Sequence, residues 1–246
     1  LYRCPEVFDF LKIIKAENQQ KEYYLTDLPQ ILTDQGHKVG ILLHDDASEL
    51  DGFNSLAQGA ALAKRLQARI LNDHMENGVI IMDPDKTSID FDVEIGQGTR
   101  IHPFTVIQGR VKIGTDCSIG PFSFIREGTV IEEQAGVGAF VEVKNSRLGQ
   151  GALSRHLSYI GDAQVGSNTN IGAGTITANF DGREKHRTVI GDRAFIGSGT
   201  VIIAPAEIGD ECTIGAGAVV THHTSTEPGS TYLGVPARKY NPKEEG

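Results

Sequence analysis

The chain has 246 residues, enough for one large domain or one domain with a piece of another. Its net charge of −9 makes it a poor polyanion binder and argues against nucleic acid, while small anions stay open wherever basic groups cluster. No apolar stretch approaches a membrane span and no signal peptide is visible, so the default expectation is a cytoplasmic protein.

Residues 1 to about 88 read as mixed α/β. Val7–Leu11 and Ile31-Leu32 have the spacing of helix faces, and Lys38–Leu43 is a short apolar run suited to a buried strand. From Ser55 to about Asn77, Leu56, Ala60, Leu62, Leu66, Ile70 and Leu71 recur at near-helical spacing. Ser55 is the expected N-cap and Gly78 the expected C-cap of one long amphipathic helix that connects two domains. The three cysteines, Cys4, Cys117 and Cys212, are odd in number and far apart, which suits buried thiols and not a metal clip.

From Ile89 the pattern changes. Every sixth residue is a β-branched aliphatic: Ile89, Ile95, Ile101, Ile107, Ile113, Ile119, Ile125, Ile131, Val137, Val143. The phase then slips and continues through Leu153, Tyr159, Val165 and Ile171. It resumes at Ile190, Ile196, Ile202, Ile208, Ile214 and Val220, often with glycine next. A period of six fits neither a helix nor an alternating strand. It predicts a mainly β chain folded as a parallel β-helix of about seven coils, each built from three strand-and-turn hexads with the aliphatic residue pointing to the axis. Glycine after it is expected to relieve strain at the turn.

Two interruptions break the repeat. The larger, Thr177–Thr188, is polar and carries Arg183, Lys185, His186 and Arg187, a local anion-attracting loop in an acidic chain. It is read as functional or as a solvated excursion. The second, near Leu148–Ser158, contains His156, a residue type suited to general-base work. The other histidines, His102, His186, His222 and His223, lack the spacing of a zinc site.

Beyond these patterns, Gly138–Ser146, His156–Ala163, Asn170–Thr177, Asn179–Gly182 and Lys185–Thr188 resemble the acetyltransferase domain of the bacterial bifunctional N-acetylglucosamine-1-phosphate uridyltransferase/glucosamine-1-phosphate N-acetyltransferases. Glu22–Asp27 and Gly52–Ser55 resemble the end of their nucleotidyltransferase domain and the start of their linker helix. The resemblance implies a left-handed coil and three parts: a nucleotidyltransferase remnant over 1–54, a linker helix over 55–80, and an acetyltransferase β-helix over 81–246. It also implies acetyl transfer from acetyl-CoA to the amino group of glucosamine 1-phosphate, in a homotrimer whose sites lie between subunits.

Residue roles follow from the same resemblance. His156 matches the general base, Glu142 the residue that orients it, and Asn179 a residue at the reacting centre. Arg126, Lys144 and Lys185 match positions that hold the sugar phosphate, and Tyr159 and Asn170 match sugar contacts. Ala173, Ser198 and Ala216 match the acetyl-CoA groove. Phe180 stands at a substrate position where the family usually has tyrosine, so the ring is kept and the hydroxyl lost. Asn54 matches a magnesium ligand of the uridyltransferase half. The glycine-rich start of that half is absent here, so neither Mg²⁺ use nor uridylyl transfer is expected of this chain. An acyltransferase acting on another amino sugar and a non-catalytic trimeric scaffold are the competing readings.

Overall fold

A computed structural model describes residues 7–43, 45 and 47–240. The chain divides into two compact units, Leu1–Gly52 and Phe53–Gly246.

In the first unit the helices Val7–Leu11 and Leu28–Asp34 form where the apolar spacing places them. The strand expected over Lys38–Leu43 does not form, and Ile41, Leu42 and Leu43 are about nine-tenths exposed. An apolar run becomes a strand only beside a neighbour that accepts its ladder hydrogen bonds. No strand lies among the described residues of this unit, so its described part is helix, 3₁₀ turn and coil, not α/β.

The second unit opens with the helix Leu56–Glu76. The Gln58 backbone N–H donates to Ser55 Oγ at 3.2 Å, as expected of an N-cap. At the other end Gly78 has φ +86°, and the Val79 N–H reaches back to the His74 carbonyl, which ends the helix in a Schellman turn. Leu71 is buried on the first coil, with Ile70 and Met75 packed beside it.

Three parallel sheets then wind around one axis. The first starts at Ile80–Ile81 and runs through Arg100–Ile101, Ser118–Ile119, Gly136–Ala139, Leu153–His156, Asn170–Ile171, Phe195–Ile196 and Thr213–Ile214. The second contains eight strands from Ser88–Ile89 to Val219–Val220, and the third seven, so the solenoid has about eight turns instead of seven. Thr231–Leu233 adds in parallel on top, and Arg238–Lys239 closes that edge antiparallel.

The axial core is the aliphatic stack. Ile89, Ile107, Ile125, Val143, Ile160, Ile202 and Val220 in the second sheet are all fully buried or nearly so. Cys117 and Cys212 are buried with them, and burial pushes the Cys117 thiol pKa up; Cys4 lies outside the described residues. Except at Gly120, whose φ is +96°, the glycine after the aliphatic residue serves close approach and not turn strain. A Cβ on Gly197 would sit 2.4 Å from the Ala216 nitrogen of the next coil, and its φ is not positive.

The phase slip needs a correction. Leu153 and Tyr159 are not axial; their neighbours Ser154 and Ile160 are, paired with Val137 and Val143. Ile125 pairs with Val143, a step of eighteen residues, but Val143 pairs with Ile160 and Leu148 with Val165, steps of seventeen. The missing residues fall between Val143 and Leu148 and between Ile160 and Val165, at the corner between the second and third sheets. They do not fall in the segment around His156. In the tightened corner Ser146 Oγ donates to the Lys144 carbonyl at 2.7 Å and accepts the Ala163 N–H at 2.9 Å.

This register makes a direct prediction. Ile160→Ala, at an axial position, should lower unfolding stability by about 2–5 kcal/mol, against about 1 kcal/mol for the half-buried Leu153→Ala. Denaturant midpoints at constant m-value measure the difference, and equal losses would contradict the assigned register.

Candidate active site

Two corners of the β-helix carry the candidate residues. At the corner between the first and second sheets, backbone hydrogen bonds stack Ala139, His156, Ala173, Ser198 and Ala216 in one column. Leu157 N–H donates to the Ala139 carbonyl (2.9 Å), Gly174 to His156 (3.3 Å), Gly199 to Ala173 (2.7 Å) and Gly217 to Ser198 (2.8 Å). The residue after each column member has positive φ: Phe140, Leu157, Gly174, Gly199 and Gly217. Below His156 this position is apolar and large. Phe104, Phe122 and Phe140 stack with centroids 4.7 and 5.0 Å apart, each about half exposed. Above His156 it is glycine, so the corner becomes bare backbone floored by small side chains. His156 itself is exposed at the end of the strand Leu153–His156, where the two regimes meet.

The outward face of the second sheet carries Phe124, Glu142 and Tyr159 in register. Glu142 does not take up the expected pairing with His156. Its carboxylate accepts Arg126 Nη1 at 2.8 Å, and the Arg126 guanidinium lies 5.5 Å from the Phe124 ring centroid. The register explains this, because His156 lies beside Ala139 in the first sheet, whereas Glu142 lies beside Tyr159 in the second. Arg126 is the nearer partner and always charged. The Tyr159 ring folds along its own strand over Gly161, where an added Cβ would sit 2.4 Å from the phenol oxygen.

At the far corner, between the second and third sheets, lie Lys144, Asn145, Asp162 and the inserted loop. Asn145 Nδ2 donates to Asp162 Oδ1 at 2.6 Å, and Asn179 Nδ2 donates to Asp162 Oδ2. Asn179 is buried, while Phe180 and Lys185 are exposed and face each other as an antiparallel bridge. Asp181 closes the loop tip, accepting the Arg183 and Glu184 backbone N–H groups and His186 Nε2, each at 2.7 Å. The Glu184 N–H, His186 and the Arg183 N–H hold its carboxyl far below the usual carboxylate range. A surface groove of about 730 Å³ runs along this corner, lined among others by Arg126, Lys144, Asn145, Asp162 and Lys185. Lys144 has its pKa lowered, first by hydrogen bonding with Lys185, then by partial burial and by repulsion from Lys185, with Asp162 opposing.

The fold therefore gathers His156, Ala173, Ser198 and Ala216 on one corner. It gathers Arg126, Glu142, Lys144, Tyr159, Asn179 and Lys185 on the adjoining face and far corner. The three-residue strand Tyr159–Gly161, about 10 Å long, separates the two sets. Asn170 stands apart on the first sheet, between Leu153 and Phe195. Asn54 is exposed just before the long helix, its backbone N–H bonded to Gln58 Oε1 at 2.8 Å. Among the described residues no group of three or more His, Cys, Asp or Glu side chains is placed to hold a metal, and no helix is long and apolar enough to cross a membrane. The resemblance assigns Asp162 no role; the signal that marks it is the shortened coil step on which it lies.

The family model for the bacterial transferase hexapeptide (six repeats) matches residues 92–127 and 187–222. From Ile80 onward the chain winds as a left-handed hexapeptide-repeat β-helix. It is 39% identical over 239 residues to the "Bifunctional protein GlmU" of Acetivibrio thermocellus and 41% identical over 239 residues to that of Pelotomaculum thermopropionicum. Both matches cover 84% of this chain and 52% of the relative. The chain thus spans about half the length of the curated relatives it matches, and the match falls on their C-terminal half. Among solved structures, an Arabidopsis UDP-N-acetylglucosamine acyltransferase aligns at TM-score 0.49 and 13% identity, covering 67% of this chain and 72% of that one.

The packing of Tyr159 on Gly161 is open to test. Gly161→Ala should destabilise the fold by roughly 1–3 kcal/mol through overpacking, and adding Tyr159→Ala should recover most of that loss. A double-mutant cycle by chemical denaturation reads the coupling; additive losses would show that the ring does not lie there.

Proposed function

We propose that the chain transfers the acetyl group of acetyl-CoA to the amino group of glucosamine 1-phosphate, giving N-acetylglucosamine 1-phosphate for UDP-N-acetylglucosamine and cell-wall precursor synthesis. The observation that carries this reading is the apposition of Lys144 and Lys185 in this groove, whose lining also holds Arg110, Arg126 and the carboxylates Asp90, Glu127 and Asp162. Lys185, and more weakly Arg126, disfavour the charged form of Lys144, and an arriving anion relieves that cost. A sugar phosphate supplies that charge and leaves an amine to be oriented, and Tyr159 offers a ring and hydroxyl for the sugar between the two corners. The similarity to the C-terminal half of the bifunctional GlmU proteins supports the same reading.

The chemistry divides between the corners. An ammonium cannot attack a thioester, so His156 takes one proton from the acceptor ammonium, and the freed lone pair bonds to the acetyl carbon. The tetrahedral oxyanion calls for an N–H donor, for which backbone amides of the glycine-lined corner are candidates. Collapse breaks the carbon–sulfur bond, the nitrogen's second proton passes to the departing CoA thiolate, and the His156 imidazolium releases its proton to solvent. The pantetheine arm is assigned to the column Ala173, Ser198 and Ala216, whose glycine neighbours leave room for a narrow chain. In this reading the assembly is a homotrimer. The exposed Phe104, Phe122 and Phe140 ladder offers an apolar seam to a neighbouring subunit, and a shared site brings the two corners' residues together across it. Glu142, engaged with Arg126, then serves the phosphate-binding set, and orients His156 only by exchanging partners.

Thiol release with acetyl-CoA is the assay. Glucosamine 1-phosphate should turn over and unphosphorylated glucosamine should be far poorer. His156→Ala should lower kcat by about 10²–10⁴-fold, the range of general-base catalysis. Lys185→Met should raise the KM for glucosamine 1-phosphate about tenfold, as expected for one charge-assisted contact. The pH dependence has a definite sign. Lys185 lowers the Lys144 pKa, so in the wild type Lys144 loses its proton, and phosphate affinity with it, at a lower pH than an ordinary lysine. In Lys185→Met the alkaline fall in kcat/KM should move to higher pH. A neutral amino sugar used as well as the phosphate, or an unmoved alkaline limb, would contradict the assignment.

A further inference from the structure

The inserted loop leaves the coil at Asn179 and rejoins it at Thr188, and both ends rest on one residue that the reaction itself does not call for. Asp162 Oδ2 accepts the Asn179 amide, its backbone carbonyl accepts the Thr188 N–H at 3.2 Å, and its own N–H is tied to the Lys144 carbonyl at 3.0 Å. Within the loop the His186 N–H donates to the Asn179 carbonyl at 2.7 Å, so the two ends are also tied to each other. Asp162 has φ +49°, one of the uncommon non-glycine residues in the left-handed region, and sits where the coil is one residue short.

We infer that Asp162 is the positioning residue of this site, clamping the insertion to the coil and fixing which face the Asn179 amide presents to the acceptor. A carboxylate only accepts hydrogen bonds. With one oxygen on Asn145 and the other on Asn179, Asp162 forces the NH₂ group of both amides inward. The Asn179 Oδ1 therefore turns away from the clamp, available to an amine's N–H. The loop held at both ends then keeps Lys185 beside Lys144. Asp162 is also a negative charge among the cations of the groove, which favours the charged form of Lys144 against the two neighbouring cations. The catalytic consequence rests on the acetyl-transfer reading; the clamp does not.

Asp162→Asn keeps the volume but offers one acceptor and one donor, so it cannot receive both amides. It should lower kcat about tenfold or more while leaving the KM for acetyl-CoA within about twofold. In an Asn179→Ala background it should change kcat by less than about twofold, because Asp162 acts through Asn179. A second readout is independent of activity. Trypsin can cut the loop after Arg183, Lys185 and Arg187. Asp162→Asn should be cut there at least about fivefold faster than wild type, as expected when a local opening becomes easier. Asn179→Ala should be cut faster in the same way, which keeps the test available if Asp162→Asn fails to fold. Asn145→Ala, which leaves the Asp162–Asn179 contact in place, should be cut at the wild-type rate. Wild-type cleavage in both Asp162→Asn and Asn179→Ala, or kcat losses that simply multiply, would overturn the inference. A wild-type protein without acetyl transfer would sink the proposed function, leaving the proteolysis to decide the clamp alone.

Discussion

Each coil of a β-helix hydrogen-bonds to the coil one full turn away, so the residue count per turn is the constraint on which everything else depends. If the count is kept at eighteen, Ile107, Ile125 and Val143 stack on the axis without adjustment. If it changes, the chain must take up the difference at a corner, since a shift within a strand would turn the aliphatic side chains outward. Here the count falls to seventeen twice and then expands into the loop between Thr177 and Thr188, all at the corner between the second and third sheets. The groove lined by Lys144 and Lys185 and the buried Asn179 amide occupy that same corner. Irregularity and candidate chemistry coincide because the corner is where a solenoid tolerates altered length.

The opposite corner varies side chains and keeps its length. The left-handed backbone position persists from Phe104 to Gly217 while its occupant changes from phenylalanine to leucine to glycine. This substitution along a constant backbone turns an apolar ridge into a narrow open channel, with His156 at the junction. The two corners share the strand Tyr159–Gly161, with the lysines beyond one of its ends and His156 before the other.

The period of six was readable from the chain because the aliphatic stack repeats over most of its length, and the caps of the long helix were readable from Ser55 and Gly78. The slip was harder to place. Leu153 and Tyr159 look like core residues but stand one position off axis, while the true axial residue Ser154 is small and polar. Only the pairing shows that the missing residues lie beside Asn145 and Asp162. Lys38–Leu43 has strand composition but no neighbouring strand among the described residues of its unit, a fact that no local pattern contains. The names of the site residues came from resemblance, and their grouping came from the coil. The Glu142–Arg126 pair and the Asp162 clamp are contacts between coils, seventeen or so residues apart, which a linear reading does not reach.

In the proposed reaction the sugar phosphate bridges the corner that carries Lys144 and Lys185 and the corner that carries His156. A crystal structure of the assembled protein with glucosamine 1-phosphate and CoA tests it most directly. The phosphate should lie between Lys144 and Lys185, the amino group within hydrogen-bond reach of a His156 imidazole, and the pantetheine arm along Ala173, Ser198 and Ala216. A phosphate bound away from both lysines, or CoA bound off the glycine-lined column, would contradict it.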